Sequence, residues 1–167
     1  MKERSMKSLA DVFEHTLADV YYAENAISKA LPKVSKAAGS AELKQAADEH
    51  LKETKGQIKK FEAVFKSIGK EAKGEKCDAI EGLIKEADGI IEEASGTALD
   101  AGLLAACQAV EHYEIARYGS LREWAKELGH DEAHRILSEI LDEEKAANNK
   151  LTSIAVNSVN KAQKTKK

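Results

Sequence analysis

The distribution of apolar positions along the chain predicts four long amphipathic helices. The first begins near Ser8, where Ser8-Leu9-Ala10-Asp11 resembles a capping box with Asp in place of Glu. Its apolar stripe runs through Leu9, Phe13, Leu17, Val20, Ile27, Leu31 and Val34 at helical spacings, and Glu24 fills the one gap. Pro32 removes a backbone donor late in this helix, which predicts a kink or break near residues 28–32. Gly39 and Ser40 then punctuate the chain. A second helix follows with Leu43, Ala46, Ala47, Ile58, Phe61, Phe65 and Ile68 on one face, and its stripe is polar across the middle, at His50, Glu53 and Gln57. Gly56 within this helix points to a close approach of another helix.

Between Lys70 and Gly96 the pattern weakens under repeated glycines, yet Ile80, Leu83, Ile84, Ala87, Ile90 and Ile91 still recur with helical spacing. At least one short helix belongs here. A connector of this length can cross the body of a bundle, so the second and third long helices can run parallel. The third starts near Thr97, with Asp100 three residues on, and ends at Leu128-Gly129. Its apolar face is marked by Leu103, Cys107, Val110, Tyr118 and Leu121, and helical spacing drops Glu111 and Glu114 into that stripe. The fourth runs from about Asp131 to Val156 or beyond, with Leu137, Ile140, Leu141, Leu151, Ile154 and Ala155 on its stripe and Glu144 in the gap. Glu143, about 100 degrees round, looks toward solvent.

Each long helix thus carries an apolar stripe interrupted near its middle by acid or imidazole: Glu24, then His50 and Glu53, then Glu111 and Glu114, then Glu144. The interval from Glu24 to Glu53 and that from Glu114 to Glu144 differ by a single residue, which puts the gaps of the two hairpins at matching heights. Measured from Glu111 the second interval is longer by three, so spacing leaves open which of the pair is the counterpart of Glu24. An ionised carboxylate in a core must be neutralised, and nothing cationic lies on these faces. A dinuclear metal supplies the missing charge. Oxygen-rich ligand sets with a histidine suit iron or manganese, and four-helix bundles are a known frame for such sites.

Composition adds bounds. The chain has 167 residues, one proline and a charged fraction of 33%, a helical composition large enough for one domain and its core. The expected division is a bundle over residues 1–160 and a basic, frayed tail over 161–167. Net charge is −3 with both signs interleaved, so no nucleic-acid surface is indicated before that tail. No run approaches the roughly 18 apolar residues of a membrane span, and the expected compartment is the cytoplasm. Cys77 and Cys107 read as reduced, small core residues, and without a Cys-x-x-Cys pair no iron–sulfur module is present to deliver electrons. His15, His112, His130 and His134 lie off the gaps. Among Tyr21, Tyr22, Tyr113 and Tyr118, one or two are expected to hold the buried acids by hydrogen bonds, and Gln57 to do the same.

The segments Tyr22-Ala23-Glu24-Asn25, His50-Leu51-Lys52-Glu53-Thr54, Glu81-Gly82-Leu83-Ile84, Glu111-His112-Tyr113-Glu114-Ile115-Ala116 and Glu143-Glu144-Lys145 resemble the YciF family of bacterial stress proteins, within the ferritin-like superfamily. The resemblance covers roughly residues 6–160. It implies an all-α, rubrerythrin-like four-helix bundle whose long crossover contains one additional short helix, commonly a homodimer, with a di-iron centre at Glu24, His50, Glu53, Glu111, Glu114 and Glu144. Two iron ions are the implied cofactors, with manganese or a mixed pair as alternatives. The implied substrate is a small oxidant or a metal ion, through oxidase- or peroxidase-like chemistry in which Glu53 or Glu144 bridges the metals; the alternative is a non-catalytic protein that the metal stabilises. The sequence departs from the Glu-x-x-His pattern of many ferritin-like relatives: the second helix reads His50-x-x-Glu53, and Ala147 stands three residues after Glu144.

Overall fold

The computed structural model describes residues 6–164, which form five α-helices: α1 (Leu9–Ala37), α2 (Ala41–Ser67), α3 (Asp78–Glu93), α4 (Gly96–Glu127) and α5 (Asp131–Ile154). α1 starts at the predicted capping box, with the Asp11 amide donating to Ser8 Oγ at 3.2 Å and the Ser8 amide to Asp11 Oδ2 at 2.9 Å. The break expected at Pro32 does not occur. Pro32 sits on the exposed face, while Leu31 and Val34 stay in the core on either side of it, so buried contacts hold the two halves of α1 in one helix. Beyond Ile154 the expected α-helix widens into a π-helical turn, Ala155–Val159, which keeps Ala155 and Val159 buried.

Pairings across the bundle fix the helix directions. Lys150 meets Glu49 near one end of the α2–α5 contact and Lys60 meets Glu143 further along, so these helices are antiparallel. Tyr118 reaches Glu24 while Asp100 reaches Gly39, which makes α1 and α4 antiparallel too. With α1 and α2 joined by a short turn, α2 and α4 run parallel, as the long crossover allows. This is the ferritin-like arrangement of two hairpins and one crossing connection. The crossover is strapped to α1: the Glu75 amide donates to the Ala18 carbonyl at 3.1 Å, and a Cβ on Gly74 would come within 3.2 Å of the Tyr22 backbone. Cys77 then caps α3, which packs Ile80 beneath it.

Two local expectations are corrected. Asp100 does not form a capping box with Thr97; its Oδ1 accepts the Gly39 amide at 2.7 Å, so it ties the α1–α2 turn to the start of α4. The close helix approach lies at Gly102, where a Cβ would fall 2.8 Å from Ile90 Cγ2, while Gly56 has no neighbour within 4 Å.

The core divides into two apolar blocks. One contains Ile27, Leu31, Leu43, Ala47, Leu103 and Leu151 with α3 against it; the other contains Phe13, Leu17, Phe61, Tyr118, Leu121 and Leu137. Between them, at the four predicted gaps, lies a polar layer.

Candidate metal centre

Each helix delivers its polar residue to this layer because the apolar positions above and below fix the helix's rotation. On α1, Val20 and Ile27 hold Glu24 inward; on α5, Leu141 and Leu151 do the same for Glu144. Glu24, Glu111, Glu114 and Glu144 are buried to 2% exposure or less, and His50 to 8%. His50, Glu111, Glu114 and Glu144 each offer one ligand atom such that all four atoms lie within 4.8 Å of one another.

Glu24 stands beside this group with its Oε1 held by the Tyr118 hydroxyl. Tyr118 is itself fixed by an edge contact with Phe61, ring centroids 5.8 Å apart. Of the four tyrosines considered, Tyr118 is the one that supports a buried acid of the layer; Tyr21 donates to Glu62, and Tyr22 to Glu81. Glu24 stands next to Glu114, and Glu111 next to Glu144, while Glu144 also acts on both Glu24 and Glu114, so the four acids form one electrostatic group. Neither pairing is closed by a well-formed hydrogen bond.

Glu53 is placed differently from the sequence expectation. Its side chain is 52% exposed, and its one ion-pair contact with the layer is to His50, with Oε2 3.6 Å from Nδ1. The other ring nitrogen, Nε2, is 3.5 Å from Glu111 Oε1. On α2 the inward positions after His50 are Thr54 and Gln57, and Thr54 Oγ1 donates back to the His50 carbonyl at 2.9 Å. An exposed carboxylate on one imidazole nitrogen, with the other nitrogen facing a cluster of acids, is the pattern that orients a ligating histidine. Gln57 donates to Glu143 at 3.3 Å, and Glu143 also pairs with Lys60. The other histidines are elsewhere: His112 on the Gln108 carbonyl, His134 on the Arg122 carbonyl, His130 stacked on Phe13 and His15 against Glu75.

The electrostatics of the layer disfavour bare carboxylate charge. Burial pushes Glu24 up to about 8, Glu111 to about 7 and Glu144 to about 9, and raises Glu114 strongly; the charge of nearby acids adds to the rise, and hydrogen bonds and His50 offset part of it for Glu24, Glu111 and Glu144. Burial works against charging His50, but Glu53, Glu144 and Glu24 together outweigh it and its pKa is raised. Among the described residues, the buried side-chain oxygens and nitrogens without a hydrogen-bond partner all belong to Glu24, His50, Gln57, Glu111, Glu114 and Glu144. Elsewhere among the described residues the buried side-chain polar atoms are satisfied, as is usual in native interiors. Orphaned oxygens and an imidazole gathered at one level fit a hard or borderline metal ion.

Below the layer, on the side of α3, an apolar cavity of about 260 Å³ reaches His50 and Glu111. Cys107 lies on its wall, where burial pushes the thiol up to about 12. Helical periodicity gave no sign of this space. The signal available was the frequency of alanine among the stripe positions of α2 and α5.

The model of the family described as "Domain of unknown function (DUF892)" matches residues 8–164. The chain belongs to this family. Protein YciF of Escherichia coli K12 is 46% identical over 164 residues, covering 97% of this chain and 99% of its own. The crystal structure of the E. coli stress protein YciF superposes with a TM-score of 0.89 at 47% identity, over 93% of this chain and 99% of that one. YcfI of Rhodopseudomonas palustris, provisionally described as a structural protein, gives the same TM-score and coverage at 50% identity. A protein from Xanthomonas campestris shares the fold at 18% identity, with a TM-score of 0.73 over 94% of this chain and 99% of its own. The YciF-like resemblance read from the sequence is therefore correct. Among the described residues no helix is long and apolar enough to cross a membrane.

Proposed function

We propose that this chain is a metal-dependent stress protein whose buried layer holds two metal ions, iron or manganese, and acts as an oxidoreductase on peroxide, oxygen or ferrous iron. The observation that carries the reading is the concentration of orphaned buried polar atoms at one level of an otherwise satisfied core. Glu24, Glu111, Glu114, Glu144 and His50 would hold the metal. Glu53 would act mainly by holding His50, and Tyr118 by holding Glu24. Redox-active ions would supply the electron transfer; the chain supplies acids already gathered from four helices, between two apolar blocks that exclude water.

A second reading is favoured by the layer's position. A cation there would link all four long helices at mid-height, so its role can be stability alone, with no turnover. A homodimer and a cytoplasmic setting are carried with both readings. The test is anaerobic loading of metal-free protein with ferrous iron, followed by elemental analysis and by assays of ferrous oxidation and peroxide consumption. Iron retained at about two per chain and lost in Glu144→Gln supports the centre, and peroxide turnover lost in the same variant supports the enzyme. Metal binding with a raised melting temperature but no turnover selects the structural reading. Failure to retain iron or manganese rejects both.

A further inference from the structure

The cavity beneath the polar layer is a feature separate from the acids themselves. Its wall is drawn from all five helices, with an apolar floor of Ile27 and Leu31 on α1, Leu43 on α2, Ile84 on α3 and Val110 on α4 and charged residues at one end and the rim. Small side chains make the room. Ala46 and Ala47 on α2 and the half-buried Ala147 on α5 stand where larger residues would narrow the space, and Cys107 keeps accessible surface although it lies among the helices. A closed apolar cavity of about 150 Å³ already admits benzene; this one is larger, at about 260 Å³, and opens to solvent at its rim.

One end is polar, and there the cavity meets His50 and Glu111, whose His50 nitrogens and Glu111 Oε2 make no hydrogen bond. Lys150 at the rim is already paired with Glu49, and the remaining charged groups on the wall are Glu53, Asp88 and Glu143. An anionic head would meet these acids, and His50, the one imidazole on the wall, already stands between Glu53 and Glu111. A neutral head that both donates and accepts would satisfy Glu111 and His50.

We propose that this cavity binds a neutral single-chain molecule, its alkyl tail among the alanines and aliphatic side chains and its hydroxyl or hydroperoxide head against Glu111 and His50. Ala147 deepens the cavity three residues beyond Glu144 on α5, next to the acids. The site needs no metal to form. Where the metal reading also holds, the same geometry presents the head of an alkyl hydroperoxide to the centre and names the organic class of peroxide.

Calorimetry with 1-octanol and with octanoate on metal-free protein at pH 7.5 tests the site separately from metal binding. The expected result is saturable binding of one 1-octanol per chain and at least tenfold weaker binding of octanoate. Ala47→Leu and Ala147→Leu, which fill the space, should each weaken 1-octanol at least tenfold without lowering the melting temperature, while Gly56→Ala on the exposed face leaves 1-octanol affinity unchanged. Xenon-pressurised crystals give a second readout, with noble-gas density in the cavity that 1-octanol displaces. Absence of saturable 1-octanol binding, retention of it in the filled variants, or equal affinity for octanoate would overturn the proposal, whether or not the protein holds iron. If a filled variant fails to fold, a cavity without xenon density overturns it alone.

Discussion

Stripping metal from the protein should make its stability fall as pH rises, the reverse of ordinary acid denaturation. Unfolded, each layer glutamate titrates near its ordinary value; folded, Glu24 titrates at about 8 and Glu144 at about 9, with Glu111 at about 7. The native state therefore holds more protons than the unfolded state between pH ~4.5 and ~8, and stability declines across that window. It is fully present below the unfolded value and lost as pH climbs through the folded one. His50, also raised, acts in the same direction. From pH 5.5 to 8.0, one carboxyl that stays protonated only in the native state loses about 3 kcal/mol, at 1.36 kcal/mol per unit. The acids are coupled, so their losses do not simply add. With a urea m-value of about 2 kcal/mol/M, the midpoint of EDTA-treated protein should fall by about 1.5 M between these pH values. Metal competes with protons for the same oxygens, so the stabilisation by ferrous iron or manganese should grow over the same range. Equal or greater stability of the EDTA-treated protein at pH 8.0 would refute the reasoning.

Replacing Glu114 or Glu144 by Leu should abolish metal retention while leaving the metal-free protein as stable as wild type or more so at pH 8.0, since an unsatisfied acid gives way to an apolar group; denaturant titration and elemental analysis check both halves. Tyr118→Phe keeps the contact with Phe61 but strips Glu24 of its donor, and should cost about 1–2 kcal/mol in urea unfolding. Gly102→Ala forces a Cβ against Ile90 and should cost about 1–3 kcal/mol, whereas Gly56→Ala, on open helix surface, should gain up to about 1 kcal/mol; thermal melts of the pair separate the two sites.

The bundle was legible because helical period and caps act locally. Ser8, Ser40 and Gly129 mark ends that depend on the nearest few residues, and the stripes of α1 and α5 fix which side turns inward. The layer was legible for the same reason: four gaps at one height need only the periodicity of each helix. What failed depended on contacts distant in sequence. Asp100 looked like a capping partner for Thr97, but the Gly39 amide, folded against α4, took its carboxylate. Glu53 shares a helix face with His50, yet three residues of helix turn it far enough toward solvent that its one ion-pair contact with the layer is to the imidazole. Periodicity could not rank Glu111 against Glu114 opposite Glu24, and in the folded layer both carboxylates stand buried beside Glu144. Nor could it show that the alanines of α2 and α5 face one another across an empty volume.

The most direct test of the proposed metal layer is anomalous scattering at the iron and manganese edges from crystals of protein loaded anaerobically. Anomalous density between Glu24, His50, Glu111, Glu114 and Glu144, with Glu53 on the far side of the imidazole, is the predicted result. Crystals of loaded protein with no anomalous density at this level, the acids paired through shared protons instead, would contradict it.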